Sequence, residues 1–285
     1  MLTIQQLSQE VNIGVDTLRV WERRYGFPQP NRDSRGHRKY PLAQVDALRA
    51  VRHLQNLGYR PSKIFALKEE ERRDILDYHR EHLIPELQDY EALICKGQVA
   101  EIERQLRLYL HNNGLEKLVF ERLTPIIDIL DRLWVDGSLS IAREHLISDM
   151  LSELLREKLL SPHTTAQRRI VFLTLCGERH KLGLLMAAAL FRCAGADCLV
   201  VQEELPLTEV RQLALDTNCH AVALSFSRYY SSRQAKKDLA TLRQNLDPNI
   251  MLIAGGEAVC KPFHLPGLIH CGDLKQIPAI LEKIK

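Results

Sequence analysis

No apolar run in this 285-residue sequence approaches the roughly 20 residues that a membrane-spanning helix requires. The opening residues, MLTIQQLSQE, lack the basic n-region and apolar core of a secretory signal, so the expectation is a cytoplasmic protein. Cysteine is scarce and odd in number: Cys95, Cys176, Cys193, Cys198, Cys219, Cys260 and Cys271. With no even framework and no C-x-x-C pair, both a disulfide scaffold and a structural zinc site are disfavoured. Most of these cysteines are expected to act as small buried apolar residues. There is no internal repeat and no low-complexity tract. Paired carboxylates, a Ser-His-Asp set and a Walker-type loop are also missing, so the chain is not expected to be an enzyme.

What is present is a globular composition, 45% hydrophobic and 26% charged. The net charge of +3 hides an asymmetry. Residues 1–65 carry eleven Lys/Arg against five Asp/Glu, and the rest of the chain is slightly acidic. A compact basic segment of this kind suggests a nucleic-acid partner.

Residues 3–10 read as a short helix with Thr3 as N-cap and Ile4 and Leu7 at helical spacing. Asn12-Ile13-Gly14 is a tight turn, and Asp16 or Thr17 is placed to cap a second helix through Leu18, Val20 and Trp21. Trp21 is assigned to the core by its spacing with Leu18. Helix, glycine-containing turn and helix make a helix-turn-helix. Gly26-Phe27-Pro28-Gln29-Pro30 cannot continue the helix, and Asn31 to Tyr40 has the polar, basic, glycine-containing character of a hairpin wing. Residues 42–57 form an amphipathic helix with Val45, Leu48, Val51, Leu54 and Leu57 inward, ended by Gly58. Helical periods then run over 83–95, 98–112, 114–134 and 139–160, which predicts a four-helix bundle.

Ser161 to Thr165 reads as a linker, after which the periodicity changes. Strands are predicted over 170–175, 198–201, 220–226 and 250–254, and helices over 183–193, 208–217 and 233–245. Two short strand-helix units are expected to close the chain. Continuous apolar strands alternating with helices indicate a parallel sheet covered on both faces, with ligands at the strand carboxyl ends. The predicted fold is therefore multidomain, α and α/β. It comprises a winged helix-turn-helix (1–75), a central four-helix bundle (76–160) and a C-terminal Rossmann-like parallel-sheet domain (161–285).

The stretch Thr17-Leu18-Arg19-Val20-Trp21-Glu22-Arg23-Arg24-Tyr25-Gly26, followed by Arg35-Gly36-His37-Arg38-Lys39-Tyr40, resembles the MerR family of transcription regulators. The resemblance implies that the second helix enters the major groove of operator DNA with Arg19, Arg23 and Arg24, beginning at Thr17. Arg35, His37, Arg38 and Lys39 would grip the backbone from the wing, and Tyr25 and Tyr40 would add phosphate hydrogen bonds.

In the C-terminal part, Glu178-x-His180-x-x-Gly183, then Ser225 and Gly255-Gly256, all fall at predicted strand carboxyl ends. The set resembles the cobalamin-binding module of methyltransferases and mutases, with its D-x-H-x-x-G, S-x-L and G-G pattern. That resemblance makes His180 the lower axial cobalt ligand, displacing the cofactor's own benzimidazole base. Glu178 would orient it, and Gly183, Ser225, Gly255 and Gly256 would admit the nucleotide tail. The sequence departs from the pattern with Glu178 for Asp, Ser227 for Leu, and no glycine in 202–206.

Trp134, ten residues before Glu144-His145, resembles the helical cap of adenosylcobalamin-dependent light-sensing repressors of the CarH and LitR type. There the tryptophan and the Glu-His pair cover the adenosyl group. Together the resemblances imply a repressor that binds adenosylcobalamin, self-associates as a dimer or tetramer on a double-stranded operator, and responds to light. Val135 stands where such proteins can carry a cobalt-capturing histidine. The alternatives are a light-independent cobalamin-responsive regulator, a regulator that binds no cofactor, and a corrinoid-dependent enzyme subunit. The last is disfavoured because no residues remain to build a catalytic barrel.

Overall fold

The computed structural model describes residues 1–11, 13–34, 36–56, 59–81, 85–135, 137–160, 168–227, 230–260 and 263–284. By their contacts they form two units, one of Met1–Ile102 with Thr124–Ile147 and one of Glu103–Leu123 with Ser148–Lys285. Among the described residues no helix is long and apolar enough to cross a membrane.

The first unit begins with α1 (Ile4–Val11) and α2 (Val15–Tyr25). Thr3 caps α1 reciprocally: Gln6 N donates to Thr3 Oγ1 (3.2 Å) and Thr3 N to Gln6 Oε1 (2.9 Å). The expected cap on α2 is corrected. Gly14 is its N-cap, with no side-chain bond, and Asp16 and Thr17 lie inside the first turn. Gly26, at φ 69°, closes α2 by donating to Glu22 O, a left-handed conformation that glycine tolerates. Leu7, Leu18, Trp21, Leu48, Val51 and Leu54 share one core. Trp21 is buried there as expected, its ring edge-on to Phe65 at 5.2 Å.

The wing is the antiparallel pair β1 (Asn31–Arg32) and β2 (Arg38–Lys39), with Arg32 opposite Arg38. Leu2 and Tyr40 exchange backbone hydrogen bonds of 2.8 Å, tying the wing to the chain start. α3 (Gln44–Asn56) buries Val45, Leu48, Val51 and Leu54 as expected, whereas Leu57 and Gly58 lie outside the described residues. Two helices not foreseen follow, α4 (Pro61–Ala66), with Pro61 in its first turn, and α5 (Glu69–Glu81), opened by three glutamates.

The four expected helical segments appear as α6 (Pro85–Lys96), α7 (Val99–Asn113), α8 (Leu115–Leu118) running through a π turn (Val119–Leu123) into α9 (Thr124–Val135), and α10 (Ile141–Leu159). The π turn has a local cause. Pro125 has no N–H to give to Glu121 O, its partner in an α ladder, and Arg122 Nη1 donates to that oxygen instead (2.9 Å).

The sheet of the second unit has five parallel strands: β3 (Arg169–Leu173), β4 (Asp197–Val200), β5 (Ala221–Ser225), β6 (Met251–Gly255) and β7 (Leu268–Cys271). Their spatial order is β4-β3-β5-β6-β7. Helices α11 (Leu182–Cys193), α12 (Leu207–Thr217), α13 (Ser232–Asn245) and α14 (Ile277–Lys283) complete it. Val171, Leu173, Val222, Leu224, Leu252 and Ala254 pack with α12 and α13, while Phe172 meets Phe191 of α11 at 5.6 Å. The order in which the chain adds strands reverses between β3 and β5, the position where open α/β sheets bind ligands. Among the described residues one strand-helix unit closes the chain, rather than two: a short 3₁₀ turn, Glu257–Val259, is the helical element found there between β6 and β7. The expectation of buried cysteines is also corrected. Cys198 and Cys219 are buried, but Cys95, Cys176, Cys193 and Cys260 are exposed.

Candidate functional site

The loop leaving β3 carries Glu178 and His180 to the carboxyl edge of the sheet, beside the end of β5. Gly177, at φ 93°, turns the chain there, and its N–H donates to Glu204 Oε2 (2.6 Å). Glu178 is 1% exposed, yet the side chain of His180 is 55% exposed. Glu178 Oε1 accepts from His180 N (2.9 Å), from His180 Nδ1 (3.1 Å) and from Ser227 Oγ (2.9 Å). Its Oε2 accepts from Ser227 N (2.6 Å). Burial pushes the Glu178 carboxyl up, but the His180 and Ser227 hydrogen bonds outweigh this and hold it below the usual carboxylate range. A carboxylate only accepts, so the imidazole proton sits on Nδ1, and the lone pair of the neutral ring is on Nε2. This is the tautomer in which a second-shell carboxylate presents histidine to a metal.

Ser227, a departure from the sequence pattern, thus supplies two donors to the buried carboxylate. It lies 49 residues away, and only the β3–β5 pairing brings it there. The loop 202–206 is likewise tied in. Leu205 N donates to Thr174 O (2.9 Å), and Lys181 Nζ donates to Gln202 O. Tyr230 and Asp238, not singled out from the sequence, brace the Ser227 loop. The Tyr230 hydroxyl donates to Asp238 Oδ2 (2.8 Å), and Gln234 Nε2 donates to Oδ1 (2.8 Å). Burial, then this bond to Asp238, pushes the Tyr230 hydroxyl up.

The three glycines of the pattern meet β5 and its neighbours closely. A Cβ on Gly183 would lie 3.6 Å from Ser225 Oγ, and one on Gly255 would lie 3.0 Å from Cys271 O. Gly256, at φ 95°, would place a Cβ 2.3 Å from Phe226 O, so no side chain fits. The structure therefore gathers Glu178, His180, Gly183, Ser225, Gly255 and Gly256 at one edge of one sheet.

In the first unit, Trp134 is half-buried in the last turn of α9. Glu144 and His145 pair on α10, Oε2 to Nδ1 at 2.6 Å, with the histidine side chain 70% exposed. Two contacts missed in the sequence hold these helices. Arg132 of α9 pairs with the buried Glu91 of α6 at 2.5 Å, and Arg143 of α10 donates to Cys95 O (2.7 Å) at the end of α6.

On the basic face, Thr17, Arg19, Arg23 and Arg24 of α2 are exposed. Tyr25 stacks on Phe65 at 4.5 Å, and the Arg24 guanidinium lies over the Tyr25 ring at 5.5 Å. In the wing His37 is exposed beside Asp33 (3.6 Å), and Lys39 is half-buried. Arg38 Nε pairs with Glu22 at 3.1 Å while staying largely exposed. Tyr40 is a correction to the expected phosphate contact: it is fully buried, and its hydroxyl donates to Glu22 Oε2 (2.8 Å). Burial and Glu22 push that hydroxyl up to about 12. Glu22 thus fastens the wing to α2 through two residues. Arg35 and the side chain of Val135 lie outside the described residues.

Known proteins accord with this geometry. The chain is 25% identical over 262 residues to the HTH-type transcriptional repressor CarH of Myxococcus xanthus, covering 86% of this chain and 85% of that protein. It is 27% identical over 232 residues to the repressor CarA of the same organism, covering 80% and 77%. The Methanosarcina barkeri monomethylamine corrinoid protein superposes with a TM-score of 0.53 at 14% identity, over 69% of this chain and 97% of its own, which establishes a shared fold. Residues 2–71 match the family described as MerR HTH family regulatory protein. The N-terminal segment is accordingly a MerR-type helix-turn-helix domain, in a chain similar over most of its length to transcriptional repressors.

Proposed function

We propose that this chain is a repressor that binds operator DNA through residues 1–75 and holds adenosylcobalamin, using it to sense light. The observation that carries the cofactor reading is the Glu178–His180–Ser227 cluster at the carboxyl edge of β3 and β5. A buried carboxylate fixes the proton on Nδ1 of a half-exposed histidine, and Gly256 stands where no Cβ fits. These residues suit a corrinoid. His180 Nε2 would ligate cobalt from below, and Glu178 would hold the ring and its proton. Gly183, Ser225, Gly255 and Gly256 would admit the nucleotide tail. Trp134, Glu144 and His145 would shield the adenosyl group from water. When bound, adenosylcobalamin supplies a cobalt–carbon bond that green light breaks.

On the DNA side, Arg19, Arg23 and Arg24 would read the major groove from Thr17 onward, with His37, Arg38, Lys39 and Arg35 on the phosphates. Tyr25 and Tyr40 would set the geometry of that face through Phe65 and Glu22. Self-association into a dimer or tetramer would present several such faces to one operator and raise affinity through effective concentration. The similarity to named repressors supports this reading over an enzymatic one. A light-independent cobalamin-responsive regulator is the second reading, favoured by Val135 after Trp134.

The test is absorbance. Purified protein is incubated with adenosylcobalamin in the dark and desalted, and its visible spectrum is recorded before and after green light. A retained corrinoid spectrum that changes on illumination is expected. A retained spectrum with no lasting change replaces the light reading with the second one. Colourless protein overturns the cofactor claim.

A further inference from the structure

The chain between α9 and α10 is tied to Trp134 and touches the helix-turn-helix. Gly137 N donates to Trp134 O (3.2 Å) and Leu139 N to Leu133 O (2.9 Å), so this connector follows the last turn of α9. Within the first unit α3 packs on α9, and Arg49 of α3 reaches the connector. A Cβ on Gly137 would lie 2.6 Å from Arg49 Nη1 and 3.4 Å from its Cζ, so the guanidinium occupies space that only a glycine leaves open. Arg49 is equally part of the helix-turn-helix. Its Nη2 pairs with Glu10 of α1 at 3.5 Å, and its Nη1 with Asp46, three residues earlier on α3, at 3.3 Å. One side chain, only 20% exposed, thus joins α1, α3 and the backbone three residues after Trp134. Its seat is imperfect. Both acidic partners are largely exposed, so the pairs are weak, and Nε is buried with no hydrogen-bond partner among the described residues. An unmatched buried donor disfavours the seated arrangement relative to one in which water reaches the guanidinium. A contact so balanced suits a switch between two arrangements.

We infer that the Arg49–Gly137 contact carries the state of Trp134 to the DNA-binding surface. The inference rests on the cobalamin reading above and adds to it the regulation of DNA binding within one chain. With Trp134 held against an adenosyl group, Gly137 stays in place and Arg49 stays seated. α1, α2, α3 and Tyr40 of the wing share one core, so the position of α3 sets how α2 and the wing are presented. When the adenosyl group leaves, Trp134 is released, the connector shifts and the seat is lost. Such a coupling is reciprocal: the cofactor raises DNA affinity by the factor by which DNA raises cofactor affinity. It is separate from any gain that self-association brings.

The experiment compares wild-type chain, Arg49→Lys and Gly137→Ala. Lysine keeps the charge but not the planar head. Alanine keeps Arg49 and sets a Cβ where its guanidinium lies. The DNA probe is a duplex selected from a random-sequence pool by the cofactor-loaded wild type. Its affinity is measured in the dark with and without adenosylcobalamin, alongside corrinoid retention and oligomeric state by sedimentation. Both variants should keep wild-type retention, oligomeric state and cofactor-free DNA affinity. The gain in DNA affinity that the cofactor brings should be about fivefold smaller in each, the low end of ordinary coupling between sites. Arg49→Lys decides alone where Gly137→Ala does not fold. An unchanged gain in either folded variant overturns the inference. A loss of DNA affinity equal with and without cofactor overturns it, because Arg49 then only supports the fold. A smaller gain that accompanies altered assembly overturns it as well. A wild type that retains corrinoid without gaining DNA affinity leaves the cofactor reading standing and overturns the coupling. Colourless wild-type protein removes the cobalamin reading itself, and the coupling with it.

Discussion

Ser227→Ala removes one of the donors that keep Glu178 ionised while buried. The carboxylate is 1% exposed and accepts from His180 N, His180 Nδ1, Ser227 N and Ser227 Oγ. A hydrogen bond to a charged group is worth roughly 1.5–3 kcal/mol. Because Ser227 N stays in place at 2.6 Å, the loss should fall near the lower end, about 1.5–2 kcal/mol. The pH dependence follows from the direction of the Glu178 shift. Its folded carboxyl titrates below the ordinary range, so its stabilisation is present above the unfolded value of about 4.3 and is lost as pH falls through the folded one. In the variant the depression is smaller. The gap between wild type and variant should be widest near neutrality and should narrow as the pH drops below about 4, toward the worth of a neutral bond. Urea unfolding of the cofactor-free chain, followed by circular dichroism at several pH values, measures this. Equal midpoints at neutral pH, or a gap independent of pH, would refute the reasoning.

Four further substitutions probe other parts of the account. Gly256→Ala sets a Cβ 2.3 Å from the backbone oxygen of Phe226 at a φ of 95°; a loss of at least about 3 kcal/mol is expected in thermal unfolding, and a stable variant would contradict the close approach. Arg132→Ala leaves Glu91 buried without its guanidinium and should cost roughly 3–5 kcal/mol, most of it regained when Glu91 is also replaced by leucine, as calorimetry can show. Tyr40→Phe loses the bond to Glu22 and should cost roughly 0.5–1.5 kcal/mol of stability, while the salt slope of DNA binding stays as in wild type. Arg23→Ala, by contrast, should lower that slope by about 1.

The helix-turn-helix was legible because its punctuation is local: the Thr3 cap, the Gly14 turn and the Gly26 stop each act within a few residues. The parallel sheet was legible because strands buried on both faces have to be continuously apolar. Less visible was anything that depends on how strands pair. Ser227 looked like a loss relative to the cobalamin pattern, and it became a donor to Glu178 only once β5 lay beside β3. Tyr40 belongs to a basic wing by sequence, but its ring fills the core and its hydroxyl turns to Glu22. Pro125 was the one visible cause of the π turn, inside a stretch whose helical period otherwise runs without a break. The second closing strand-helix unit was an overreading of the segment after Gly256, whose described residues make a single 3₁₀ turn before β7.

The central claim is that His180 holds a corrinoid through cobalt. The most direct measurement is the visible spectrum of wild-type protein and of His180→Ala, each loaded with adenosylcobalamin in the dark and desalted side by side. The account predicts that the wild type retains the corrinoid with the absorbance of an imidazole-ligated cobalt, and that His180→Ala retains less or shows the spectrum of a cobalt without that ligand. Identical spectra from the two proteins, or wild-type protein that elutes without colour, would contradict it.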